Sequence, residues 1–138
     1  HLNHPGICIG FRIEAQGRSV CYLSDHETFC RLNGDNDMSR RQDDKIHAFV
    51  NDCDLLIREA QYTNEEYAGR AGWGHSTFDD AVKCAAKTGA KRLAVFHHDP
   101  ERTDEAMDAH MAYCRALAKE LGSKTDCFAA ADGLRIDL

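Results

Sequence analysis

Four polar side chains, Asp25, Glu59, His75 and His97, stand at the carboxyl ends of apolar runs or just beyond them. Such positions matter because ligands of helix-covered sheets bind past the carboxyl ends of strands, where side chains from separate strands converge. His97 and His98 follow an apolar run and precede Asp99-Pro100. They read either as a turn whose imidazoles bond to nearby backbone or as metal ligands, neutral imidazole being the commonest such ligand. Asp25, taken alone, reads as readily as a turn cap. His75 lies in Trp73-Gly74-His75-Ser76-Thr77, immediately ahead of a helix-capping pair. Glu59 follows directly on a buried run, where an ionised carboxylate is costly unless paired; a histidine partner would also tune an acid near neutral pH. His4, before Pro5-Gly6, draws its weight from the company of the others.

The elements that must position these groups follow from periodicity and turn chemistry. Ile7 to Glu14 and Ser19 to Leu23 read as two strands of a hairpin turning at Ala15-Gln16-Gly17 and ending at Ser24-Asp25. Residues 26 to 44 are polar, turn-rich and weakly periodic, so a loop bordering the site is expected there. Lys45 to Val50 reads as a short helix leading into a buried strand over Cys53 to Ile57. After a polar segment from Tyr62 to Trp73, Ser76 or Thr77 caps a helix that ends at Gly89. A strand over Arg92 to Phe96 follows, then an amphipathic helix from Thr103 to about Leu121 with Gly122 as its stop. Thr125 to Ala129 and Leu134 to Leu138 read as short terminal strands. This alternation implies an α/β fold, a mixed sheet with helices on one face.

At 138 residues the chain is one domain's worth of polypeptide, with no run approaching the roughly 20 apolar residues that cross a bilayer. The start has no basic region followed by an apolar core, so no signal peptide and a cytoplasmic location are expected. The seven cysteines are odd in number and contain no CxxC pair, which argues against a disulfide framework or a zinc ribbon. Cys53, Cys84 and Cys114 read as small apolar fillers. A net charge of -6 argues against a general nucleic-acid-binding surface, while leaving room for a small or locally held phosphate substrate.

Taken together, Leu2-Asn3-His4-Pro5-Gly6 with Gly10-Phe11-Arg12-Ile13, Cys21-Tyr22-Leu23-Ser24-Asp25, Arg58-Glu59-Ala60-Gln61-Tyr62, Gly74-His75-Ser76-Thr77 and Leu93 to Pro100 resemble the metallo-β-lactamase fold. Within it they are similar to the phosphodiesterases of the ribonuclease Z type. The resemblance implies an αββα architecture, of which residues 1–138 would be the carboxyl-terminal half as a single domain. It implies two divalent metal ions, zinc first with manganese or iron as alternatives, bridged by a hydroxide that attacks phosphorus. His4 would ligate the first metal, Asp25 would bridge both and His97 would ligate the second. His75 would donate the proton to the leaving oxygen, with Glu59 orienting it; His98, Asp99 and Asp54 would either support the site from behind or be structural. Asp99 replaces a serine of ribonuclease Z, and Phe96-His97-His98-Asp99-Pro100 is closer to a bacterial branch of metallohydrolases.

The family's His-x-His-x-Asp-His signature, which supplies four ligands, does not occur in this chain. The isolated chain is therefore expected to bind metal poorly and hydrolyse little, since zinc sites want at least four donors each. The remaining half would come from upstream of His1 or from a partner chain, including a second copy. The substrate would be a small phosphate ester or RNA. Other metallo-β-lactamase-fold chemistries, such as thioester or lactam hydrolysis, and a non-catalytic half-domain acting as an interaction module are the alternative readings.

Overall fold

The computed structural model describes all 138 residues. Its spine is a five-stranded mixed sheet in which strand order equals chain order: β1 (Gly10–Ala15), β2 (Arg18–Leu23), β3 (Leu55–Glu59), β4 (Arg92–Phe96) and β5 (Asp126–Ala129). β1 and β2 form the hairpin, turning through Gln16 (φ 52) and Gly17 (φ 73), successive left-handed residues whose twist suits a tight antiparallel turn. The later strands run parallel to β2, so each return requires a crossover, and helices supply it.

Those helices are α1 (Phe29–Asn33), α2 (Asp37–Val50), α3 (Asn64–Tyr67), α4 (Phe78–Thr88) and α5 (Asp104–Glu120). Their ends follow local chemistry. Thr77 and Asp80 form a reciprocal capping box at the start of α4, and Gly89 closes it in the left-handed conformation. Thr103 caps α5 through its bond from the Ala106 amide.

Two expectations are overturned. Residues 26 to 44 are not a loop: α1 and most of α2 lie within them. Asn36 starts α2 by accepting from the amides of Met38 and Ser39, and buried Asp43 receives the amides of Phe29 and Cys30, both at 2.9 Å. The segment is polar because its buried groups bond to backbone, which hides the apolar period a helix normally shows. Leu134 to Leu138, read as a strand, has no ladder partner; Arg92 instead reaches the Asp137 carbonyl at 2.8 Å.

Alternation along the strands divides the sheet into two faces. Cys21, Leu23, Leu56, Leu93, Val95 and Cys127 point to the helical side, where they form the core with Val50, Phe78, Ala81, Val82, Ala85, Met111 and Cys114. All seven cysteines are free, and five of them are buried, as apolar filling requires. The other face is thinly covered. Phe11 and Ile13 on β1 are 50% and 61% exposed, beside half-buried Val20, Tyr22, Ile57 and Phe96.

Asp54 belongs to the end of the sheet opposite the carboxyl termini of the strands. It accepts the Ser19 amide at 2.8 Å and Lys91 at 2.8 Å, which tie the starts of β2, β3 and β4 together. Lys91 and then the Ser19 amide hold its carboxyl well below the usual carboxylate range.

The two faces predict opposite sensitivities. Leu93→Ala, at a site with 0% exposure, should lower unfolding free energy by about 2–5 kcal/mol in urea titrations. Ile13→Ser on the open face should stay within about 0.5 kcal/mol.

Candidate metal centre

Parallel β2, β3 and β4 present their carboxyl ends along one edge, which brings Asp25, Glu59 and His97 together. His4 reaches the same edge because β1 is antiparallel and begins beside the end of β2. Asn3 fixes that approach from both sides. Its amide donates to His26 Nδ1 at 3.0 Å, its side chain donates to the Glu27 carbonyl at 2.8 Å, and its own carbonyl accepts the Glu27 amide at 2.9 Å. His26 is 1% exposed, and burial holds its imidazole well below its ordinary pKa, in the neutral form that can accept.

Asp25 lies between two imidazoles. Its Oδ2 is 3.7 Å from His4 Nε2, and its Oδ1 is 3.3 Å from His97 Nδ1. His97 makes this approach from the left-handed region (φ 55), a conformation uncommon outside glycine that turns the chain sharply off β4. His75 completes the cluster, its ring centred 5.6 Å from that of His4 and 4.9 Å from that of His97. Ligand atoms of His4, Asp25 and His75 all lie within 4.8 Å of one another, as do those of Glu59, His75 and His97.

Glu59 is wholly buried, and burial pushes its carboxyl up to about 8 against the opposing pull of the Ser76 amide and the Arg58 charge. Its Oε1 accepts the Ser76 amide at 2.6 Å. Its Oε2 faces His75 Nδ1 at 3.8 Å, and neither atom has a hydrogen-bond partner. Burial, followed by the neighbouring His97, lowers the His75 pKa.

The donor chemistry fits a divalent cation. Imidazole and carboxylate are the groups that hold zinc, manganese or iron, and buried atoms of His75 and Glu59 without partners face the same space. His4 carries one constraint: its Nδ1 accepts the Gly6 amide at 2.9 Å, which leaves the ring proton of the neutral form on Nε2, toward Asp25. Ligation through Nε2 requires that proton to leave, so cation uptake by His4 is coupled to a change at the Gly6 turn.

Glu27 escaped the sequence reading, although it shapes the site. It is 1% exposed and gathers the Tyr67 hydroxyl at 2.5 Å, the Gly72 amide at 2.8 Å and the Gly74 amide at 3.0 Å. Those bonds fold residues 72–74 so that His75 faces inward. The signal available was a carboxylate two residues beyond Asp25 in a segment read as loop. Gly74 is also required by space, since a Cβ there would fall 2.2 Å from His4 Cδ2 and 2.7 Å from Pro5 Cδ, at φ +93. His98 and Asp99 lie outside the cluster. Asp99 accepts the Glu101 amide at 3.0 Å in a turn, and His98 lines, next to His97, a cavity beside α5 with Met107 and Ala129.

A family model described as a beta-lactamase superfamily domain matches residues 1–98. Ribonuclease Z of Halobacterium salinarum is 32% identical over 94 residues, covering 68% of this chain and 28% of its own length. The metallo-β-lactamase fold protein YhfI of Bacillus subtilis superposes with a TM-score of 0.64 at 21% identity, over 96% of this chain and 44% of that one. The short form of human tRNase Z superposes with a TM-score of 0.59 at 22% identity, over 93% and 37%. The chain thus spans 28% of the length of the curated relative.

The packing of Gly74 on His4 yields a prediction. Gly74→Ala should weaken zinc binding by about 10- to 100-fold in competition titrations while the far-ultraviolet spectrum is retained. Gly69→Ala, at a position with nothing within 4 Å, should leave it unchanged.

Proposed function

The chain belongs to the beta-lactamase superfamily, and on that premise we propose that it carries the carboxyl-terminal half of a metal-dependent phosphodiesterase site. The observation that carries this reading is the placement of Asp25, each of whose carboxylate oxygens faces a different histidine, His4 on one side and His97 on the other. One carboxylate between two imidazoles is the arrangement a bridging ligand needs. The relatives named ribonuclease Z support the choice of a phosphodiester among the reactions this fold serves.

In this reading His4, Asp25 and His97 would hold the divalent cations, with Asp25 placed to serve both histidines' sides. Divalent cations held there would supply Lewis acidity toward the phosphoryl oxygens and an acidified water. The chain's own residues supply orientation and proton transfer. Because His75 Nδ1 faces Glu59, Nε2 is the nitrogen left to protonate the departing oxygen. Glu59, held by the Ser76 amide, limits rotation of the ring and keeps that nitrogen toward the edge of the sheet.

His4, Asp25 and His97 are too few donors for two closed zinc sites, so the remaining ligands must come from another segment or chain. The thinly covered face bearing Phe11 and Ile13 supports the same conclusion, because an αββα fold packs a second sheet there. The acidic balance of the chain, net -6, favours small phosphate esters over long RNA. A non-catalytic half-domain is the second reading, favoured by that shortage of donors.

The test is hydrolysis of bis-p-nitrophenyl phosphate, cyclic nucleotides and a precursor tRNA with zinc or manganese, paired with metal analysis, for the chain alone and with a segment bearing His-x-His-x-Asp-His. Hydrolysis in the completed assembly is expected. His75→Ala should lower turnover by about 10²- to 10⁴-fold at unchanged metal content. Asp25→Ala should lose metal first. An assembly that takes up no metal and cleaves no ester would establish the non-catalytic module instead.

A further inference from the structure

We propose that the cavity enclosed by α1, α2 and α4, on the helical side of the sheet, is a second ligand site that takes a small oxyanion on the buried guanidinium of Arg58. The cavity is about 720 Å³ and is lined by charged side chains of those helices together with Arg58, Thr28 and Cys84. It is separate from the metal centre. Consecutive residues of a strand point to opposite faces, so Glu59 turns toward His75 while Arg58 turns toward the helices.

Arg58 is 2% exposed and remains a cation at any pH the protein meets. Its Nη2 donates to neutral acceptors, Thr28 Oγ1 at 3.2 Å and Ser76 Oγ at 3.1 Å, and its Nε–H has no acceptor. Every other basic group on the cavity wall is already matched. Arg31 grips Asp80 through two bonds of 2.5 and 2.9 Å, Arg40 holds Asp35 and Asp37, Lys87 holds Asp44, and Lys83 reaches Asp79. Asp43, the remaining carboxylate of the wall, is taken by the Phe29 and Cys30 amides. Arg58 is therefore a buried cation with no carboxylate in ion-pair contact. An unpaired buried charge is strongly unfavourable, whereas an anion that enters and accepts from it offsets that penalty. His47 on the same wall is likewise matched, its buried Nδ1 facing Asp44 Oδ1 at 3.6 Å.

The chemistry selects the ligand class. A free guanidinium N–H beside two hydroxyls suits a compact anion with several acceptor oxygens, such as inorganic phosphate or a carboxylate. The flanking ion pairs leave little room for a long polyanion, because binding one would require breaking several of them.

The probe is inorganic phosphate added to the full chain stripped of metal with a chelator, with acetate, sulfate and chloride in parallel. The readouts are ¹H–¹⁵N spectra of the backbone and of the arginine Nε–H groups. Saturable shifts are expected at the Arg58 Nε–H and at the amides of Thr28, Ser76 and Cys84, with chloride without effect. Response to phosphate and sulfate alone identifies a tetrahedral oxyanion as the ligand; response to acetate as well identifies a carboxylate-accepting site. Arg58→Gln should weaken binding by about tenfold or more. Should that variant fail to fold, the wild-type spectra decide by themselves. An Arg58 Nε–H resonance that phosphate and acetate both leave unmoved at millimolar concentration, or shifts confined to His4, Asp25 and His97, would overturn the proposal.

Discussion

A carboxylate removed from water must collect donors or surrender its charge, and much of this molecule is arranged around that requirement. Glu27 folds the Gly72–Gly74 segment around itself, Asp43 gathers the first amides of α1, and Asp54 draws together the starts of three strands. Glu59 has only one good donor, the Ser76 amide, and answers by a raised pKa. The chain thus uses acids as organising centres for its irregular backbone, while the apolar core organises the sheet and helices. Loops held in this way are as well determined as strands, which a site assembled from loop residues demands.

How much of this was legible follows from the same distinction. The hairpin, β3, β4, α4 and α5 could be read because alternation, capping residues and glycine stops are local signals. So could the gathering of Asp25, Glu59, His75 and His97 at one edge, since parallel strands joined by helices leave their carboxyl ends no other place. α1 and the first half of α2 could not be read, although Lys45 to Val50 was legible as helix: Asp43 looks like a solvated loop acid in sequence, and only the fold reveals that it caps an element fourteen residues earlier. Glu27 was missed for the same reason, its donors lying 40 to 47 residues downstream. The distance between Glu59 and His75 is likewise a tertiary quantity. At 3.8 Å the two groups face each other without a direct hydrogen bond.

Ser76 joins the two sides of β3. Its amide meets Glu59 on the face of the candidate metal centre, while its hydroxyl accepts from Arg58 on the helical face and donates to the His26 carbonyl. One small residue, next in sequence to His75, therefore touches a buried acid, a buried base and the backbone after Asp25. Displacement of any one of them is felt by the others, and the electrostatics of the centre cannot be set independently of the cavity behind it.

β1 is an outermost strand, and Phe11 and Ile13 project from it together with Ile7 and Ile9 just ahead. Their alternation matches that of any other extended chain, and the outward backbone groups of β1 have no neighbour in the ladder. Such a margin is self-complementary. Purified in isolation, the molecule carries a built-in route to concentration-dependent association, in which one copy's border zips against the next.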